Sequence, residues 1–237
     1  MVTRFNPKDR ITSIKAISFD GDGTLWDFEK VMRHSLHHVI RELQKIDVHT
    51  ANKLTVEKMI EVRNRVAAEL KGKVTNLEKV RFEAFRQALK EIDRPNDELA
   101  VYLNEVYLKH RFEDIELFDD VLPALNTLGE KYTLGLLSNG NNYPESCGLK
   151  DIFQFVVLSQ DHGIEKPDPK LFLIALNEAG CSRQELLHVG DSLQDDVVGA
   201  ANAGIKCVWL NRGQMKRKTG FSIEYEVSSL LELLEIL

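Results

Sequence analysis

The 237-residue chain predicts an α/β fold, a parallel sheet covered by helices on both faces and interrupted by an all-helical insertion. Three observations predict it. After Phe118, short apolar runs alternate with helical stretches, the pattern of strands joined by crossover helices. A similar apolar run, Ile14-Lys15-Ala16-Ile17-Ser18-Phe19, stands alone near the start. Between Phe28 and Arg111 the periodicity is helical, with hardly any strand signal.

Taken in order, the first strand covers 14–19 and ends in the turn signal of Phe19-Asp20-Gly21-Asp22-Gly23-Thr24-Leu25. In residues 29–46, Val31, Leu36, Val39, Ile40, Leu43 and Ile46 recur at helical spacings, and 55–71, 76–92 and 96–111 behave alike. Four such helices can bury a core of their own. This assigns 27–112 to a helical domain inserted into a core domain of residues 1–26 and 113–237. The second part of the core reads as helix 119–131, strand 133–138, helix 144–151, strand 155–158, helix 168–179, strand 186–190, helix 194–203 and strand 205–210. Leu134-Gly135-Leu136-Leu137, Phe155-Val156-Val157-Leu158, Leu186-Leu187-His188-Val189 and Cys207-Val208-Trp209-Leu210 suit strands buried on both faces. Residues 211–220, with Arg212, Gly213, Lys216, Arg217, Lys218 and Gly220, read as an exposed loop whose basic cluster is a solvated face.

Composition narrows the function. The chain is 43% hydrophobic and 29% charged, with a net charge of −6 that argues against a nucleic-acid partner. Residues 27–112 carry +3 and the rest −9, a split that solvated faces produce by chance. No stretch approaches the roughly 18 consecutive apolar residues of a membrane span, and the first ten residues contain no apolar block of a secretory signal. Cys147, Cys181 and Cys207 are odd in number and widely spaced, giving neither a disulfide framework nor a zinc pattern. The expectation is a cytoplasmic enzyme, monomer or homodimer, without membrane or nucleic-acid partners.

Each strand of a parallel sheet delivers the residues that follow it to one edge, where open α/β sheets place their chemistry. Here the first strand delivers Asp20 and Asp22, the second Ser138-Asn139-Gly140, and the fourth Gly190-Asp191-Ser192 with Asp195 and Asp196 beyond. The loop after the third strand supplies Lys166 in Glu165-Lys166-Pro167-Asp168-Pro169, where Pro167 biases Lys166 away from helical geometry. Three or more carboxylates at one edge repel one another unless a cation neutralises them, and hard oxygen ligands suit Mg²⁺. The pattern therefore predicts a metal at this edge.

Together, and in this order, Phe19-Asp20-Gly21-Asp22-Gly23-Thr24-Leu25, Leu137-Ser138-Asn139, Lys166-Pro167-Asp168-Pro169 and Gly190-Asp191-Ser192 with Asp195-Asp196 resemble the four signature motifs of the haloacid-dehalogenase superfamily. The resemblance implies a Rossmann-like core with an inserted helical cap domain. It also implies a Mg²⁺-dependent phosphatase acting on a small phosphorylated metabolite through an aspartyl-phosphate. Asp20 is then the nucleophile and Asp22 the acid and base. Lys166 and Ser138 bind the transferring group, and the motifs also place Asn139 and Thr24 at the substrate. Asp20, Asp191, Asp196 and the Asp22 backbone carbonyl belong to the metal site, with Asp196 preferred over Asp195 as the second acid of the fourth motif. A 2-haloacid dehalogenase shares the fold and nucleophile but needs no second aspartate, so Asp22 argues against it. A phosphomutase uses the same carboxylates and stays open. A non-catalytic binding protein is disfavoured because every required group is present.

Gly21 departs from the family pattern, which usually has a larger side chain between the two aspartates. Trp26 and Phe28 either line a substrate pocket or staple the hinge to the insertion. His34, His37 and His38 have spacings that could gather imidazoles over a metal, but read as a polar helix face. His188, inside a strand, reads as a core histidine with its hydrogen bonds satisfied.

Overall fold

A computed structural model describes residues 10–74, 76–215, 220 and 223–237. Of the anticipated basic cluster, Lys216, Arg217 and Lys218 lie outside these residues. The described chain divides into two compact units, one running up to Trp26 and resuming at Leu117–Leu237, the other Asp27–Glu116.

The first strand, β1, is Ala16–Phe19. The helical unit follows, with α1 Phe28–Ile46, the short α2 Val48–Ala51, α3 Val56–Leu70, α4 Leu77–Glu91 and α5 Asp97–Glu113. Its long helices start where the sequence supplies a cap. Asp27, Thr55, Asn76 and Asn96 each accept a hydrogen bond from a backbone N–H of the first turn; such a cap contributes about 1 kcal/mol. Their apolar stripes meet in one cluster that includes Leu36, Val39, Leu43, Val62, Leu89 and Leu103. Burying a side chain of this kind contributes about 1.5–3 kcal/mol. Phe28 belongs to this unit, its ring beneath the Arg111 and Arg63 guanidiniums at 4.7 and 5.2 Å.

In the other unit, β1 joins α6 Val121–Gly129, β2 Thr133–Ser138, β3 Phe155–Leu158, α7 Ser159–His162, α8 Pro169–Ala179, β4 Leu186–Gly190, α9 Gly199–Ala203, β5 Lys206–Leu210, β6 Tyr225–Val227 and α10 Leu233–Ile236. The six strands form one parallel sheet in the order β3-β2-β1-β4-β5-β6. Residues on both faces of its central strands are buried, including Ile17, Phe19, Leu136, Leu137, Leu187 and Val189. Ala16, Leu137 and Leu186 pack with Leu171 and Phe172 of α8 and with Ala200 and Ala203 of α9. Among the described residues, no helix is long and apolar enough to cross a membrane.

Three local expectations are corrected. The helix anticipated over 144–151 is a single 3₁₀ turn, Pro144–Cys147, because Gly148 takes φ 74° and ends it. The helix anticipated over 194–203 begins as a wider π-helical segment, Leu193–Val198, before α9. β6 is a strand the apolar runs did not reveal: Tyr225-Glu226-Val227 is short and carries a charge at its centre.

Sheet order and register place the candidate residues. β1 pairs with Thr133–Leu136 of β2 on one side and Leu186–Val189 of β4 on the other. The chain runs outward from β1 through β2 to β3, then returns to the opposite side of β1 as β4. The residues just beyond this register, Asp20, Ser138 and Asp191, thus emerge at one carboxyl edge, at the point where strand order reverses.

Candidate active site

The Lys166 ammonium is the hub of this edge. Although only 2% exposed, it donates to Asp20 Oδ1 at 2.7 Å, Asp196 Oδ1 at 2.6 Å and the Leu137 carbonyl at 3.0 Å. Its loop is held by Asn139: the Asn139 side-chain oxygen accepts from the Lys166 backbone N–H at 2.7 Å, and its amide nitrogen donates to the Lys166 carbonyl at 3.0 Å. Asn139 was expected at the substrate. Its amide is committed instead to the backbone that carries the lysine.

Asp196 is equally committed. Besides Lys166 it accepts from His188 Nε2 at 3.1 Å, and its Oδ2 accepts from the Ser192 backbone N–H at 2.9 Å. Of the two neighbouring acids it is the one that reaches Lys166. Asp195 lies at the start of the π-helical segment, its backbone N–H donating to Ser192 Oγ at 3.1 Å. His188, fully buried, does more than sit satisfied in the core. Ser18 Oγ lies 2.9 Å from its Nδ1, Asp196 faces its Nε2, and Phe172 packs edge-on against the ring. Burial keeps its pKa below the ordinary histidine value despite Asp196. The single proton of a neutral ring then belongs on Nε2, facing the carboxylate, and Ser18 donates to Nδ1. Sequence reasoning missed this support, although His188 faces Ser18 directly across the β1–β4 pair.

The loop after β1 shows why Gly21 is glycine. A Cβ there would lie 2.5 Å from Trp26 Cζ2, so the indole occupies the space a larger residue would need. Trp26 is itself buried and its Nε1 donates to Asp22 Oδ1 at 2.6 Å. Trp26 staples the point where the chain leaves and returns, its backbone bridging to Leu117, and its indole also holds the second aspartate. Gly23 adopts φ 84°, and a Cβ on it would lie 2.6 Å from Asp191 Oδ2. Both backbone conformation and close approach therefore require glycine. Thr24, fully buried, directs its hydroxyl to Asp191 Oδ1 at 3.4 Å rather than outward to a substrate. Trp209 Nε1 donates to the Asp191 carbonyl at 2.8 Å, fixing the start of that loop.

Arg212 corrects the solvated reading of its loop. Its guanidinium forks onto Asp120 at 2.9 and 3.0 Å and donates to the Thr24 carbonyl at 2.8 Å. The aspartate loop is thereby braced from below. Asp120 also accepts from Ser229 Oγ and the Leu230 N–H; these bonds and the Arg212 charge outweigh its burial and hold its carboxyl below the usual range.

Electrostatically the edge is short of positive charge. Carboxylate oxygens of Asp20, Asp191 and Asp196 lie within 4.8 Å of one another. Burial, reinforced by Asp196 and Asp191, pushes Asp20 up to about 8 against the pull of Lys166. Burial and the neighbouring Asp196 push Asp191 up to about 6. Asp196 is also buried, but Lys166 and His188 hold its carboxyl well below the ordinary range. Burial works against the charge on Lys166, yet Asp196 and Asp20 more than offset it and keep the ammonium protonated. Three carboxylates and one ammonium leave two negative charges, the complement of one divalent cation. Asp20 and Asp191 are the hard oxygen donors that would hold it, with Asp196, which already accepts from Lys166, His188 and the Ser192 N–H, beside them in the same group. The donor set fits Mg²⁺.

Ser138 completes the edge, its Oγ accepting from the Gly140 N–H at 3.0 Å and keeping its own O–H to donate. Together these groups offer a buried carboxylate fixed by an ammonium, a second carboxylate two residues on, and a hydroxyl donor beside them. That constellation suits nucleophilic displacement with proton transfer.

Comparison with known proteins bears on the same residues. A family profile described as haloacid dehalogenase-like hydrolase matches residues 14–204. Pyrimidine 5'-nucleotidase YjjG of Escherichia coli (strain K12) is 33% identical over 141 residues, a stretch covering 57% of this chain and 63%, under two thirds, of that protein. N-acylneuraminate-9-phosphatase of Homo sapiens is 29% identical over 232 residues, 94% of this chain and 93% of that one. Among solved structures, the 2-haloacid dehalogenase from Pseudomonas syringae pv. Tomato DC3000 matches with a TM-score of 0.77 at 31% identity, covering 94% of this chain and 97% of that one.

Proposed function

The chain belongs to the haloacid dehalogenase-like hydrolases, and from that premise we propose that it is a Mg²⁺-dependent phosphatase of a small phosphorylated metabolite, with the helical unit as its cap domain. The observation that carries the reading is Asp22, a second carboxylate two residues from the Lys166-bound Asp20 and itself held by the Trp26 indole. Displacement of halide from carbon needs no proton donor for its leaving group. Displacement of an alkoxide from phosphorus does. The similarity to N-acylneuraminate-9-phosphatase along nearly the whole chain supports the same choice.

In the first step the free oxygen of Asp20 attacks phosphorus while Lys166 holds its partner oxygen. The bond to the leaving oxygen breaks, and Asp22 delivers a proton to the departing alkoxide. Water then attacks the phospho-aspartate as Asp22 takes back a proton, releasing inorganic phosphate and restoring Asp20. Lys166 stays protonated throughout because Asp196 and Asp20 flank it; its three N–H bonds are committed to Asp20, Asp196 and the Leu137 carbonyl, so it acts on the phosphoryl group through its charge, and Ser138 supplies the O–H donor. Mg²⁺ held by Asp20 and Asp191 would offset the negative charge of the phosphate and favour the ionised nucleophile.

A panel of sugar phosphates, nucleoside monophosphates and other small phosphomonoesters, assayed for phosphate release, tests this function. Release should require Mg²⁺, stop in chelator and return when the ion is added back. Chelator-insensitive turnover of 2-chloropropionate with no phosphate release would assign the chain to dehalogenation instead. An isomeric sugar phosphate appearing without free phosphate would make it a mutase.

The role given to Trp26 has its own test. Trp26→Phe keeps a ring over Gly21 but removes the N–H that reaches Asp22. A buried hydrogen bond to a charged group contributes about 1.5–3 kcal/mol, so the melting temperature should fall, and kcat of the folded variant should fall as well, roughly 10-fold or more, because Asp22 loses the group that aims it. A lower melting temperature with kcat of the folded variant unchanged would leave Trp26 a packing residue only.

A further inference from the structure

The helical unit contains a cluster that the proposed hydrolysis does not use. His34 and His38 stand one turn apart on α1, and His110 and Asp114 stand one turn apart at the end of α5. Facing one another, the four residues bring their ligand atoms within 4.8 Å. His34 Nε2 and His110 Nδ1 approach the same oxygen, Asp114 Oδ2, at 3.2 and 2.9 Å. The His38 ring stacks on His110 with centroids 3.5 Å apart and meets the His34 ring edge-on at 4.8 Å. His34 and His37 are exposed and His38 half-buried, as a polar helix face requires; His37 stays apart from the group, and α5 adds His110 and Asp114 to the other two.

An ordinary helix-surface pair accounts for part of this, since His110 and Asp114 at i and i+4 hydrogen-bond readily. It does not account for a second ring nitrogen on the same oxygen, nor for a third imidazole stacked beside it. Three imidazoles crowded round one carboxylate oxygen gather several lone pairs in one place. They are well served by a cation that accepts several lone pairs. Nitrogen-rich sets of three His and one carboxylate select borderline first-row ions over Mg²⁺ or Ca²⁺. In a tetrahedral site with bonds of about 2.0–2.1 Å, neighbouring donors lie about 3.3 Å apart. Reaching that spacing takes a modest contraction and a splaying of the stacked rings. Such movement is open to side chains that are half-buried or, for His34, exposed.

We infer that His34, His38, His110 and Asp114 bind one Zn²⁺-class transition-metal ion, clamping α1 to α5 where the chain enters and leaves the helical unit. The ion cross-links two helices already packed together and stabilises the folded unit by mass action.

The test is calorimetric titration of the full, tag-free chain with ZnCl₂ in saturating Mg²⁺, with Co²⁺ absorption as a second readout. The expected result is one equivalent of Zn²⁺ bound, a visible Co²⁺ band, and a higher melting temperature. Asp191→Asn should leave all three intact. The exposed-site variant His34→Gln and the double variant His38→Gln/His110→Gln should each weaken binding roughly 10- to 100-fold or more and remove the Co²⁺ band. Circular dichroism confirms folding, and His34→Gln, on an exposed helix position, keeps the test decisive if the double variant unfolds. No uptake by the wild-type chain, uptake that survives His34→Gln, or uptake lost in Asp191→Asn would each overturn the inference. None of these outcomes bears on the phosphatase reading, which rests on other residues.

Discussion

Asp20→Asn is expected to abolish turnover while making the protein more stable in chelator at neutral pH. The loss of activity follows from removing the nucleophile, for which no neighbouring group can substitute; a fall of about 10⁴-fold or more is the scale for such residues. The gain in stability follows from burial. Asp20 is pushed from 3.8 up to about 8 chiefly by loss of solvation. A carboxyl raised in this way binds its proton more tightly in the folded chain than in the unfolded one. Its contribution to stability is therefore full at low pH and is lost as pH rises from about 4 to about 8. Asparagine carries no such dependence. Lys166 keeps Asp196, the Leu137 carbonyl and a neutral acceptor at position 20, so its ammonium is not stranded. Thermal melts in chelator should show Asp20→Asn above wild type at pH 7, with the gap closing toward pH 4. Added Mg²⁺ should raise the wild type more than the variant, because the variant has lost a charged ligand. A variant retaining a hundredth of the activity, or melting below wild type at pH 7, would contradict the placement of Asp20.

What the sequence showed of this site follows from what each residue depends on. Asp20, Ser138 and Asp191 were legible because each stands at the end of a short apolar run bounded by turn signals, which reads as a strand of a sheet covered on both faces. Strand order and register were not legible, since the runs say nothing about neighbours; yet it is the return of the chain to the far side of β1 that sets Asp191 beside Asp20. The supporting residues were hidden for another reason. Trp26, His188 and Arg212 act through hydrogen bonds to partners fixed by the fold, and an isolated Trp, His or Arg carries no spacing signal. Gly21 was visible as an oddity but had no cause until the indole was seen filling its space. Thr24 and Asn139 lie within the motifs, yet their side chains turn to Asp191 and to the Lys166 backbone. The histidine cluster shows the same limit, because two of its four members come from a helix some seventy residues further on.

Asp22→Asn should separate the two chemistries that this family's fold supports. If Asp22 protonates the leaving alkoxide, its loss should cost about 10²–10⁴-fold in kcat for an alkyl phosphate such as a sugar phosphate. For p-nitrophenyl phosphate the leaving group is stable without a proton, so formation of the phosphoenzyme should be almost unaffected. Hydrolysis of the phosphoenzyme still needs a base to take the proton from water, and Asp22 is the group placed to do it. The variant should therefore release one burst equivalent of p-nitrophenolate and then stall, with phosphate trapped on Asp20. Rapid quench and mass measurement of the intact chain would detect that adduct. The asparagine side chain still offers an oxygen to the Trp26 N–H, so the loop should keep its geometry and the effect should be chemical. Equal losses for the two phosphates, with no burst, would mean that Asp22 shapes the loop rather than moves protons. Unimpaired turnover of a 2-haloacid by the same variant would mean that attack occurs at carbon.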